Sequence, residues 1–232
     1  RTIMSFKEYF EVVLDKPEQH LRSSAQYVVD MMDHYGTEDF ERPTGPVTRY
    51  KLFDMPFAHG EGRVAGQEDV QQSIHRTLSN FAREGRVNKL RLLHGPNGSA
   101  KSSLVRALMS GMEDYSHSAE GALYSFNWIF PASKRSKDSI GFGTASDLVD
   151  SEETFAFLAA DDIDARIPCE MHDHPLFLVP HEQRIQILES LAPDGTLGGG
   201  DVSGGRTLSE YLRKGDLSYK SRRIFDALLA SY

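Results

Sequence analysis

The run Gly95, Pro96, Asn97, Gly98, Ser99, Ala100, Lys101, Ser102, Ser103 places a glycine-rich turn, a lysine and two hydroxyls at the head of an apolar helical pattern. Ahead of it, "NKLRLLHG" reads as a short apolar strand. A strand that turns into a helix leaves the first helical N–H groups unpaired and the positive end of the helix dipole exposed. Glycines at 95 and 98 let those N–H groups wrap around a phosphate without side-chain obstruction. Lys101 is then placed to reach the β- and γ-phosphates of a nucleotide. The Ser102 hydroxyl completes the shell of a Mg²⁺ ion, so ATP and Mg²⁺ are the expected ligands. Ala100 stands where such loops usually carry glycine. One residue before the helix its backbone is expected near the right-handed helical region, where a single methyl fits.

Hydrolysis or transfer of a phosphoryl group also needs a carboxylate on Mg²⁺, at the end of a buried strand. "TFAFLAADD" offers Asp161 and Asp162, but two alanines separate these acids from the apolar run and "DDIDARIP" continues as an acidic stretch. They are expected to form a solvated acidic turn. The catalytic residues are therefore left unassigned. Cys169, His172 and His174 lack a further partner at metal-site spacing. Gly141 and Gly143 in "IGFGTASD" read as loop glycines, and "GGGDVSGG" as a hinge or linker. No G-x-S-x-G elbow is present, so nothing supports serine-hydrolase chemistry.

The elements that must hold the cradle follow from periodicity. Residues 3 to 34 carry apolar positions at helical spacing in two segments divided by Pro17, with Gly36 as the stop. "TEDFERPTGPVTRY" reads as a boundary or extended linker. This places a small helical N-terminal segment and linker at residues 1–45 and a nucleotide-binding domain at 46–232. A helix is expected over 67–83, with Val70, Ile74, Leu78 and Phe81 buried, and another over 101–112. "GALYSFNWIFP" reads as a strand, residues 133–153 as a long loop, and "HPLFLVP" as another short apolar run. Helices are expected over 181–191, 208–212 and 221–232. Strands alternating with helices predict an α/β fold with a mainly parallel sheet flanked by helices.

Acidic residues outnumber basic ones 34 to 26 in the 232-residue chain, a net charge of −8, which argues against a broad nucleic-acid-binding face. A single cysteine fits a reducing, cytoplasmic setting. No apolar run approaches the roughly 20 residues of a membrane helix, so no membrane partner is expected. The chain opens on Arg1 without a signal-peptide pattern, and a trimmed start is expected.

"RVAGQEDVQQSI" resembles the segment ahead of the phosphate loop in AAA+ ATPases, where a Val/Ile-x-Gly turn packs on adenine. That resemblance puts Val64 and Gly66 on the adenine side. "GPNGSAKSSL", "YSFNWIFP", "IGFG", "HPLFLVP" and "LSEYLRKGDLSYKSRRIFDALLASY", in this order, resemble the N-terminal AAA-type region of bacterial PrkA-type serine protein kinases. The resemblance runs from about residue 60 to the C-terminus. It implies an AAA+-like P-loop NTPase fold, ATP–Mg²⁺ binding, serine/threonine phosphorylation of a protein substrate and a possible homo-oligomer. It also implies that the Walker B-like strand lies beyond the segment matching "IFDALLASY", so that this stretch alone is expected to be inactive. The Gly-x-Ala-Lys-Ser form of the loop is similar to that of MCM-type helicases as well. The acidic balance and the lack of an Ile-Asp-Glu strand speak against a DNA motor. An AAA+ motor or a nucleotide-gated interaction module remains the alternative to a kinase.

Overall fold

The computed structural model describes residues 2–43, 45–57, 63–90, 92–132, 155–197 and 206–231. The chain divides into two compact units, each assembled from separate stretches. Unit 1 comprises Arg1–Lys16, Tyr124–Arg184 and Asp216–Tyr232, and unit 2 comprises Pro17–Leu123 and Ile185–Gly215. The α-helices are α1 (Phe6–Asp15), α2 (Pro17–His20), α3 (Ser24–Tyr35), α4 (Glu68–Glu84), α5 (Lys101–Ser116), α6 (His181–Leu191), α7 (Glu210–Lys214) and α8 (Tyr219–Ser231). The strands are β1 (Thr37–Arg42), β2 (Gly45–Tyr50), β3 (Asn127–Pro131), β4 (Ile163–Pro168), β5 (Thr196–Leu197) and β6 (Arg206–Thr207).

These strands overturn the expected parallel sheet. Among the described residues they form three two-stranded antiparallel sheets, β1–β2, β3–β4 and β5–β6. The reason lies in the connections and side chains. An antiparallel pair closes through a tight turn, whereas parallel strands need a long crossover and apolar residues on both faces. The supposed linker "TEDFERPTGPVTRY" is the β1–β2 hairpin, with Thr37 opposite Tyr50 and Arg42 opposite Gly45. The side chains of β1 are mostly charged and exposed, so no helix could cover it as in a parallel sheet. "NKLRLLHG" forms no strand among its described residues, and Leu90 and Leu92 stand 93% and 80% exposed. "KLFD" is a 3₁₀ turn (Lys51–Asp54), "FAF" another (Phe155–Phe157), and "HPLFLVP" contains a third (Pro175–Leu178). The expectations for Gly141, Gly143, the loop at 133–153 and most of "GGGDVSGG" fall outside the described residues.

Unit 2 is built around the buried face of α5. Leu104, Ala107 and Tyr115 pack with Met31 and Met32 of α3, with Leu52 and Phe53 of the 3₁₀ turn, and with Val64. Helix α3 starts where Ser23 accepts a hydrogen bond from the Gln26 N–H, and α4 ends at Gly85 in the left-handed region. A buried ionic node braces this core. Asp30 accepts from Arg22 at 2.9 Å, from Arg206 at 3.0 Å and from Gln26 at 2.7 Å. The Arg22 guanidinium also lies 4.6 Å from the Tyr27 ring centroid, which offsets part of its desolvation.

In unit 1, α1 opens with a capping box: Ser5 Oγ accepts from the Glu8 N–H, and the Glu8 carboxylate accepts from the Ser5 N–H at 2.7 Å. Strand β4 half-buries one side and exposes the other in alternation, paired with β3 from Asn127–Pro168 to Pro131–Ile163. At the head of α8 the Asp173 carboxylate accepts from the Ser218 N–H at 3.0 Å and from its hydroxyl at 2.8 Å. Burial pushes the Asp173 carboxyl up, but hydrogen bonds from Ser221 and Ser218 outweigh it and hold it below the usual carboxylate range. No helix among the described residues is long and apolar enough to cross a membrane.

Candidate functional site: a phosphate cradle at the head of α5

Residues Gly95 to Ala100 form a tight turn that delivers the chain into α5. The Ser99 N–H donates to the Pro96 carbonyl at 3.3 Å, and the Ser99 hydroxyl donates to the same oxygen at 2.8 Å. Gly98 has φ +82°, which an L side chain adopts only under strain. Gly95 is needed for room: a Cβ there would lie 2.8 Å from Ser99 Oγ. The Leu104 N–H is the first along α5 to find a helical acceptor, the Ala100 carbonyl at 2.9 Å. The N–H groups of Lys101, Ser102 and Ser103 belong to the orphan first turn of the helix. Ser102 is exposed and Ser103 half-buried.

Lys101 closes the turn over itself. Its ammonium donates to the Gly95 carbonyl at 2.8 Å, the Pro96 carbonyl at 2.6 Å and Ser99 Oγ at 3.0 Å. All three donors are thereby used on the loop's own oxygens. A cation held at the mouth of a turn, next to orphan N–H groups and the positive end of a helix, suits an anion of several oxygens.

Ala100 departs from expectation. Its φ of +58° and ψ of +12° lie in the left-handed region, not the right-handed one. The turn must reverse the chain immediately before the helix, and a left-handed residue makes that reversal. This is where glycine is cheapest. The Ala100 methyl packs against the core that contains Leu104, which offsets part of the backbone strain.

The two residues expected beside the adenine lie in the same unit as the cradle. Val64 is 2% exposed and shares that core with Leu104 and Ala107, and its N–H donates to the Phe53 carbonyl at 2.9 Å. Gly66 has φ +74° and is followed by Gln67 at φ +65°, a reversal that opens α4. The Gln71 side chain fastens this reversal by donating to the Gly66 carbonyl at 3.1 Å.

Asp161 and Asp162 close the 3₁₀ turn Ala160–Asp162 ahead of β4 and are exposed, so they precede a strand rather than end one. Cys169, His172 and His174 have separate local tasks. Cys169 Sγ accepts from the Asp173 N–H, His172 sits in a left-handed turn, and His174 Nδ1 accepts from the Leu176 N–H. Among the described residues no group of three or more His, Cys, Asp or Glu converges on a metal position. Arg106 lines the same groove as Lys101 and Ser102 and was not singled out from the sequence. Its spacing of one helical turn from Ser102 was the available signal. No family model matches the chain, and no curated protein or solved structure matches it either.

Proposed function

We propose that Gly95 to Ser103 bind the β- and γ-phosphates of ATP, with Mg²⁺ held through the Ser102 hydroxyl. The observation that carries this is the Lys101 ammonium clasped by Gly95, Pro96 and Ser99 beside the orphan N–H groups of α5. The residues fit a phosphate. Nothing larger than hydrogen stands at Gly95, the loop oxygens can release the ammonium, and Ser102 is exposed. Bound Mg²⁺ would neutralise phosphate charge; the chain's own residues supply the N–H cradle and the cation.

Together with the resemblance to PrkA-type kinases, this supports reading the chain as an ATP-binding module of a serine/threonine protein kinase that acts on a protein substrate. A nucleotide-gated interaction module is the second reading, and the exposed position of Asp161 and Asp162 favours it. Calorimetric titration of ATP–Mg²⁺ tests the shared part. Lys101→Ala should weaken binding by about 10- to 100-fold, because a charge-assisted contact contributes about 1.5–3 kcal/mol. Unchanged affinity would remove the assignment. Transfer of the γ-phosphoryl group to a protein hydroxyl separates the kinase from the gated module.

A further inference from the structure

Helix α5 is apolar on two sides. One side carries Leu104, Ala107, Gly111 and Tyr115 into the core. The other presents Val105 and Met109, 41% and 61% exposed, next to Leu93 at 39%. These three line an open groove whose polar edge is made by Ser102, Arg106 and Glu113. Among the described residues, the core of unit 2 gathers the first side, with Leu108 and Met112 at its edge, and includes neither Val105 nor Met109.

Arg106 and Glu113 lie two helical turns apart on this outer face, about 10.5 Å along the axis. That spacing exceeds the i,i+4 reach at which helix side chains pair. Both are exposed, and among the described residues neither takes part in an ion pair. Their positions are mirrored about the point between Met109 and Ser110. A twofold axis through that point, normal to α5, lays a second α5 antiparallel on the first. Arg106 of each copy then faces Glu113 of the other, with the two Met109 side chains between the pairs. This is the self-complementarity that a twofold interface requires.

We propose that the outer face of α5 is the docking surface for a second copy of this chain, paired antiparallel through Val105 and Met109 and fixed in register by reciprocal Arg106–Glu113 pairs. Helices in such contact lie about 8–10 Å apart, close enough for Met109 to meet its counterpart. A single helix face is smaller than the roughly 800 Å² per partner of a stable complex, so association is weak, with a dissociation constant on the order of 10–100 µM. The groove also holds Lys101 and Ser102 of the cradle, but the pairing rests on Val105, Arg106, Met109 and Glu113 and stands whether or not those two residues bind a nucleotide.

Sedimentation equilibrium from micromolar to near-millimolar protein tests it. A monomer–dimer equilibrium is expected. Arg106→Glu or Glu113→Arg alone should raise the dissociation constant about tenfold or more, since each replaces two attractions with two repulsions. The two reversals combined should return it to within about threefold of the parent, as expected for directly coupled residues. Met109→Glu should leave a monomer. All three positions are exposed, and unchanged far-ultraviolet circular dichroism and melting temperature check that the variants fold. A monomer at every concentration, or a dimer indifferent to both single reversals, overturns the proposal. So does a double reversal that fails to recover the dimer.

Discussion

The left-handed backbone at Ala100 can be weighed by substitution. Ala100→Gly removes the clash of Cβ with the carbonyl oxygen, a strain of about 1–2 kcal/mol for an L residue in this region. Two terms oppose the gain. Glycine gives the unfolded chain more freedom, which costs about 0.4–1 kcal/mol. The half-buried methyl also leaves the core edge, roughly half of the ~0.8 kcal/mol of a fully buried group. The net result lies between no change and a gain of about 1 kcal/mol, which is unusual for deleting a packed methyl. Ala100→Val is the companion variant: a β-branched residue tolerates positive φ least, and a loss of about 2 kcal/mol or more is expected. Urea unfolding of the three proteins reads both values. Ala100→Gly destabilised by more than about 1 kcal/mol would refute the reasoning, because only a right-handed Ala100 gives that sign. ATP affinity in Ala100→Gly should stay within about threefold of the parent, since the cradle donors are backbone groups that the substitution leaves in place.

Other outcomes follow from the braces of each unit. Asp30→Ala should cost about 3–5 kcal/mol in urea unfolding, because it strands the buried Arg22 charge, whose side chain is 4% exposed. A loss below about 1 kcal/mol would mean that Arg22 finds another counter-charge. For Asp173, the folded carboxyl is held below its unfolded value of about 3.9. Its contribution is therefore complete above the unfolded pKa and lost as pH falls through the folded one. Urea midpoints should lose this contribution in the parent only as pH falls below the unfolded pKa, and decline less steeply there in Asp173→Asn. Equal slopes would contradict that role.

Helices were legible in the sequence and strands largely were not. The periodicity of Val70, Ile74, Leu78 and Phe81 with the stop at Gly85 placed α4 within a residue of its bounds, Glu68–Glu84. Such a stripe is local, and so is its stop signal. The β1–β2 hairpin escaped because β1 is exposed on both faces, so its sequence carries no alternation of apolar and polar residues. The strand signal in "IDARIP" was present as a strict two-residue period, with Ile163, Ala165 and Ile167 on the half-buried side. The neighbouring "TFAFLAA" is the more apolar run, so composition favours it over "IDARIP". The strand expected in "NKLRLLHG" does not form among its described residues, although its composition is apolar. Pairing, however, depends on partner strands that a local window does not contain. In the cradle, the residue types and their order were readable, and the hand of the backbone at Ala100 was not. Only the missing glycine hinted at it.

The division of the chain into two units has a consequence for its birth on a ribosome. Unit 1 takes its first helix from Arg1–Lys16 and its remaining parts only from Tyr124 onward. The ring of Tyr9 packs 5.3 Å from that of Tyr124, so a side chain made early must wait for one made much later. Unit 2 cannot close its Asp30 node until Arg206 has emerged. Neither unit can therefore be completed while most of the chain is still being synthesised, and loop-closure entropy weighs on both. No single cut releases either unit whole. Releasing either unit takes cuts at several points and a rejoining of its stretches, and a nascent chain stalled just after Leu123 exposes two unfinished cores at once.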